Sequence, residues 1–279
     1  MNSGQGRNSQ LSSTERVFVK HVAAHLKEFA KIIDVTRFIK VNHWDIDRIL
    51  DLYEEALWDS PEIFYVSKHL IRIRFTRNAD DSIRYAKLYG IKYVFPQEEY
   101  REAKIKFDAE VKKAVAYAGR ETAPEKIARR LHDYLIWTCE YDSEALSDKT
   151  ASLLARSVYS VLVRKKAVCE GYTMAYRYLL KMFGIPCEEI LSPKMRHCWN
   201  YVKIRNHWYH ADVTFDDPVF VDEYGRRVMQ PAPVIDPGNI SHRFFLLSDA
   251  ALLRTGHFGW NTKGLPPASD ETYDDRVWS

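Results

Sequence analysis

The chain has 279 residues, 46% of them hydrophobic and 28% charged, with a formal net charge of +3. That suits an ordinary globular protein, one large domain or a modest domain with a lead-in, and the charge is too small to argue for nucleic acid. No run of about 18 apolar residues occurs, which excludes a conventional membrane helix.

Four cysteines (Cys139, Cys169, Cys187 and Cys198) are too few and too irregularly spaced for a disulfide framework, and no Cys-x-x-Cys pair suggests a zinc knuckle. The first residues are rich in Ser, Asn and Gly, with no apolar core of a secretory signal. Cytoplasm is the default location, with the cell surface or secretion open for a trimmed chain.

In chain order, residues 1–12 read as a disordered tail with no apolar face to bury. Val17, Val19, Val22, Ala23, Leu26, Phe29, Ile32 and Ile33 recur at spacings that predict a helix from Ser13. A second helix starts near Asn42 or Asp45, carries Ile46, Ile49, Leu50, Tyr53 and Leu57, and stops at Asp59-Ser60-Pro61. Residues 63–66 and 70–75 read as strands, the latter alternating Ile71, Ile73 and Phe75 with Arg72 and Arg74. A turn at 78–81 leads to a partner strand at 91–95. Pro96 opens a charged helix to about Ala118. The next helix, capped by Thr122, carries Ile127, Leu131, Tyr134, Leu135 and Thr138 and ends near Cys139, before a polar loop at 140–150.

Two segments carry chemistry. In the first, Tyr172, Ala175, Tyr176, Leu179, Leu180 and Phe183 form one apolar stripe, and Gly184 with Pro186 marks a stop, so a helix runs over about 169–183. Cys169 then lies in its first turn, where free N–H groups and the helix dipole favour a thiolate. A buried structural cysteine is the bland alternative. The second segment is a hairpin of 197–204 and 207–214 around Arg205-Asn206. Paired positions sum to 411, which sets Trp199 opposite Asp212, His197 opposite Thr214, and His197 diagonal to Asp212 on one face. An imidazole and a carboxylate so placed are what a base and its orienter require.

Val-Cys-Glu-Gly-Tyr at 168–172, His-Cys-Trp-Asn at 197–200 and Trp-Tyr-His-Ala-Asp-Val-Thr-Phe-Asp-Asp-Pro at 208–218 together resemble the three signature blocks of the bacterial transglutaminase-like domain. The likeness covers about residues 125–262, including Phe244-Phe245-Leu246-Leu247-Ser248-Asp249 and the close from His257 to Trp260. A looser likeness links residues 44–95 to the stretch ahead of such domains in bacterial surface proteins. The resemblance implies an α+β, papain-like core in which a nucleophile helix packs on an antiparallel sheet. The division expected is a tail at 1–12, a helical and β lead-in at 13–105, and a catalytic domain at 106–279. It implies acyl transfer on amide bonds of proteins or peptides, by a protease, deamidase or transglutaminase, through Cys169, His197 and Asp212 and a thioester. Tyr141 is the implied oxyanion donor, and Glu170 and Trp199 are cleft candidates. Two departures stand out. Cys198 replaces a small residue and is expected to face away from His197 with little effect on the three site residues, and Phe215 replaces a tryptophan.

No cofactor or metal is expected, no calcium-loop pattern is present, and the partner is a protein or peptide substrate. One rival is a metal site of His197, Cys198, His207 and His210, which the hairpin geometry does not gather. Another is an inactive domain that binds peptide or glycan. Asn239-Ile240-Ser241 reads as a loop rather than a glycosylation site, and Asp216-Asp217 before Pro218 as a turn rather than a cation site.

Overall fold

The computed structural model describes residues 11–60, 63–67, 71–146, 153–217, 220–221, 227–228, 240–262 and 264–278. Pro61, Leu70, Pro218, Asn239 and most of the expected tail lie outside them. The chain forms two compact units, residues 1–102 and 103–279.

The first unit opens with α1 (Ser13–Lys27), fixed by a capping box between Ser12 and Glu15. The expected helix reaches Ile33, but the observed one stops at Lys27. Phe29 takes a left-handed φ of 54°, and the Ala30 N–H returns to the His25 carbonyl, a helix-ending loop that glycine usually makes. Aromatic packing holds that strained residue: Phe29 stacks on Tyr65 at 4.7 Å and meets Tyr93 at 4.8 Å. Ile32 and Ile33 therefore fall in a strand, β1 (Ile32–Asp34).

A short α2 (Thr36–Asn42), which the periodicity does not announce, precedes α3 (Ile46–Asp59), capped by Asp45. β2 (Arg72–Arg77) pairs with β3 (Ile83–Tyr89), not with 91–95, in a sheet of order β1-β3-β2. The reason is the inward pair Ala86 and Leu88, both buried, which the polar outward residues disguise. Residues 63–66 and 91–95 share only the isolated bridge Val66–Tyr93.

The second unit holds α4 (Tyr100–Ala118, opening at the boundary) and α5 (Pro124–Thr138). Thr122 does not cap α5: Pro124 starts the helix with Ala123 at the cap position, and no side chain bonds there. Within the expected loop, β4 (Glu140–Tyr141) runs parallel to β5 (Lys166–Ala167). α6 (Cys169–Met182) follows at once. It lies against β6 (Cys187–Ser192) and β7 (His197–Ile204), with β8 (His207–Ala211) beyond them.

The four-stranded sheet has order β11-β8-β7-β6, all antiparallel. α7 (Val213–Asp216), the pair β9 (Phe220–Val221) and β10 (Arg227–Val228), β11 (Phe245–Leu247) and α8 (Asp249–Arg254) complete the unit. Gly171 allows the close approach of α6 to its neighbours. A Cβ there would lie 2.7 Å from the Ala155 carbonyl oxygen, the same oxygen that accepts the Val168 N–H at 3.1 Å.

Candidate active site

Cys169 is the first residue of α6, after Val168 in extended conformation. The β4–β5 pairing sets the entry: Tyr141 is opposite Ala167, and the Asp142 N–H reaches the Ala167 carbonyl at 2.8 Å. Tyr141 packs on Ala145, Ala155 and Val168.

The hairpin pairs Asn200 with Ala211 and Tyr201 with His210, as a sum of 411 requires. The strand ends at Ala211, however, so Trp199–Asp212 and His197–Thr214 do not form as ladder pairs. His197 pairs instead with Ser192 on β6. Asp212 turns out of the sheet because its side chain caps α7, its Oδ1 accepting from the Thr214 and Phe215 N–H groups at 3.1 Å each. The diagonal approach survives this: His197 Nε2 is 2.7 Å from Asp212 Oδ2. With Nε2 taken by the carboxylate, Nδ1 remains for the hydrogen bond between His197 and Cys169.

Cys198 departs from expectation. It faces α6, where the Thr173 hydroxyl touches its carbonyl at 3.2 Å and its Sγ at 3.7 Å, and its thiol bonds Cys169. Strand alternation turns Cys198 away from the face that carries Trp199, but that direction is where the helix places Cys169. His197, at the strand end, reaches the same sulfur from the other side.

These contacts decide the charges. The Cys198 thiol is the largest influence on Cys169; with the Cys198 backbone and His197 it outweighs burial and lowers the Cys169 thiol to about 5. Burial alone would depress His197, but Asp212 and Cys169 raise it to about 10. Burial likewise opposes ionisation of Asp212, which His197 and His257 nevertheless hold down at about 2. Cys169 and His197 thus pair as thiolate and imidazolium across neutral pH. Burial moves Cys139 and Cys187 the opposite way, Cys187 to about 12.

Glu170 and Trp199 sit in the interior instead of on a cleft wall. Glu170 is buried and binds Arg156 at 2.8 Å. Trp199, only 1% exposed, donates its indole N–H to His210 Nδ1 at 2.9 Å. His210 Nε2 in turn donates to Asp249 at 2.7 Å, and His207 lies 3.6 Å from Asp270, so these two do not join His197 and Cys198 as ligands. Asp216 and Asp217 point to separate partners: Asp216 to His132, and Asp217 to the Tyr172 hydroxyl at 2.7 Å.

Two histidine-centred groups have contacts to which the sequence assigns no role. His257, 1% exposed, donates from Nε2 to Asp212 Oδ2 at 3.0 Å. His132 is fully buried, with Nδ1 3.1 Å from Asp133 and Nε2 3.1 Å from Asp216, while His242 binds Asp133 at 2.7 Å. Among the described residues, His197-Asp212-His257 and His132-Asp133-His242 are the two groups close enough to hold an ion. Within each, hydrogen bonds already join the carboxylates to ring nitrogens. The one signal in the sequence was the dipeptide His132-Asp133 inside an apolar helix stripe.

The family model of the transglutaminase-like superfamily matches residues 111–213, a stretch that contains Cys169, His197 and Asp212 and ends before His257. A TGase crystal structure is similar over 61% of this chain and 48% of that one, at 14% identity and a TM-score of 0.37. A candidate cysteine protease from Cytophaga hutchinsonii is similar over 52% of this chain and 62% of that one, at 16% identity and a TM-score of 0.31. This chain therefore spans less than two thirds of either of these two structures. No curated protein matches it.

Proposed function

We propose that the chain, whose residues 111–213 match the family model of the transglutaminase-like superfamily, transfers acyl groups from amide bonds of proteins or peptides. Cys169 is the nucleophile, His197 the base and then the acid, and Asp212 the orienter. One observation supports this most: a thiol in a helix's first turn meets the imidazole nitrogen that Asp212 leaves unused.

The thiolate attacks the carbonyl carbon of a glutamine side chain or a peptide bond. The oxyanion that forms is met by N–H groups at the start of α6, which have no acceptor within the helix. Tyr141, on the strand beside Ala167, is the candidate second donor. Collapse of the adduct breaks the C–N bond, and the departing amine takes the proton from His197, leaving a thioester. Water or a second amine then attacks, gives its proton to His197, and releases Cys169 as thiolate. Water makes the enzyme a protease or deamidase, and an amine makes it a cross-linker.

The test is the rate of Cys169 alkylation by iodoacetamide against pH, mapped by mass spectrometry, with His197→Ala alongside. The wild-type midpoint is expected at about 5 and that of the variant much nearer the ordinary thiol value of about 8.5. A wild-type midpoint near the ordinary value would sink the reading. Ammonia release from a glutamine peptide, with and without a primary amine, then separates hydrolysis from transfer.

A further inference from the structure

We propose that His257 is a positioning residue for this site, holding the Asp212 carboxylate in the plane that His197 needs. The inference rests on the reading of Cys169, His197 and Asp212 given above.

Asp212 accepts four hydrogen bonds. Two backbone N–H groups hold Oδ1, while His197 and His257 share Oδ2, at 2.7 and 3.0 Å. The first pair holds one oxygen, but hydrogen bonds tolerate modest rotation about the Cβ–Cγ bond, and such rotation would carry Oδ2 off its line to His197. His257 opposes that rotation with a second bond on Oδ2, because its own ring is anchored. Nδ1 lies 3.0 Å from Thr255 Oγ1, and that hydroxyl gives its proton to the Leu252 carbonyl at 2.6 Å.

The backbone brings His257 there by a defined route. α8 ends at Arg254, and Gly256, with φ of 93°, reverses the chain in a conformation that a residue with a Cβ rarely adopts. The next residue ties the segment to the base as well. The Phe258 carbonyl accepts the Ser192 hydroxyl at 2.6 Å, and Ser192 is the strand partner of His197. One short stretch after α8 therefore touches the orienter directly and the base through its neighbour. This stretch lies beyond the family match, which ends at residue 213.

The experiment compares His257→Leu and His257→Gln with wild type in the same alkylation profile and in steady-state turnover of a glutamine peptide. Leucine keeps the bulk and loses the N–H; glutamine keeps an N–H donor of similar reach. The leucine variant is expected to lose about 10- to 100-fold in kcat, the range seen when a partner that orients a metal-binding histidine is lost, with KM nearly constant. Its Cys169 midpoint should move up toward the ordinary thiol range. Glutamine should restore both to within a few-fold. A side chain that merely packs would cost thermal stability in both variants and leave the midpoint in place.

Wild-type-like kinetics and midpoint in the leucine variant overturn the proposal. If wild-type Cys169 has no low midpoint, the reading of the site itself falls. A leucine variant that does not fold leaves a direct measurement on the wild type: the imidazole 15N shifts of His257. A proton on Nε2, lost from that signal in Asp212→Asn, supports the role, and an unprotonated Nε2 overturns it.

Discussion

The second unit contains two buried histidine–aspartate clusters built from nearly the same parts. In one, His197 meets Asp212 and Asp212 also meets His257. In the other, His132 meets both Asp133 and Asp216, and Asp133 also meets His242. The difference is how many ring nitrogens the carboxylates consume. His132 spends both, so it is a clasp that joins α5 to α7 and to the segment before β11. His197 spends one, and the other faces a thiolate. A charged histidine in a buried pair is therefore no sign of catalysis by itself; the proposed function rests on the ring nitrogen left over beside a thiol.

Breaking each cluster should expose the contrast. The largest effect is expected from His197→Ala, which should reduce turnover of a glutamine peptide by at least about 10^4-fold, as loss of a member of such a unit does. Stability, read by urea unfolding, should fall by less than in His132→Leu, because His257 and two backbone N–H groups still hold Asp212. His132→Leu should do the reverse. Removing one partner of a buried ion pair costs about 3–5 kcal/mol, while the Cys169 alkylation midpoint of the folded fraction stays at the wild-type value. A midpoint that moves in His132→Leu would mean the two clusters are one network.

The pH dependence sharpens the same comparison. Burial opposes the charge on His132, but Asp133 and Asp216 raise it to about 9, above the ordinary 6.5 of an unfolded histidine. A raised folded value means the stabilisation is complete below about 6.5 and is lost as pH climbs through about 9. The span corresponds to roughly 3 kcal/mol at most. Urea midpoints measured from pH 6 to 10 should fall accordingly, and His132→Leu should flatten that part of the slope. An unchanged slope in the variant would remove the clasp from the account.

The smallest effect concerns the sulfur itself. The Cys198 thiol hydrogen bond is the largest single influence on Cys169, but His197 acts twice, through a hydrogen bond and through its charge, so Cys198→Ala should raise the Cys169 midpoint while leaving it below that of His197→Ala. A shift of one pKa unit is about a tenfold change in thiolate below the midpoint. No shift at all would mean that His197 sets the thiolate alone.

Much of the site was readable because its parts are local. The apolar stripe of α6 ends where Gly184 and Pro186 say it should, and Arg205-Asn206 sets the hairpin register with no outside help. What escaped depends on distant partners. His257 finds Asp212 across 45 residues, and His132 finds Asp216 across 84; no spacing rule connects such pairs. Asp212 left the strand because its side chain prefers the free N–H groups of α7, a competition between cap and ladder that alternation cannot foresee. In the first unit, Phe29 ended α1 without a glycine, and only its stacking on Tyr65 and Tyr93 explains how.

The hairpin that brings His197 to Asp212 also defines which insertions and deletions a lineage can survive. Arg205 already takes a left-handed φ of 57° at the tip, and lengthening that tip leaves every rung from Ile204–His207 to Asn200–Ala211 in place. A single residue added within either arm is another matter. Because side chains alternate across a sheet, it would carry His197 to the opposite face, or move the point at which Asp212 leaves the strand, and dissolve the site without changing any residue in it. Related chains should therefore vary in length at the tip and hold the arms constant, and the arm lengths, more than the motif letters, are the pattern to search for in genomes.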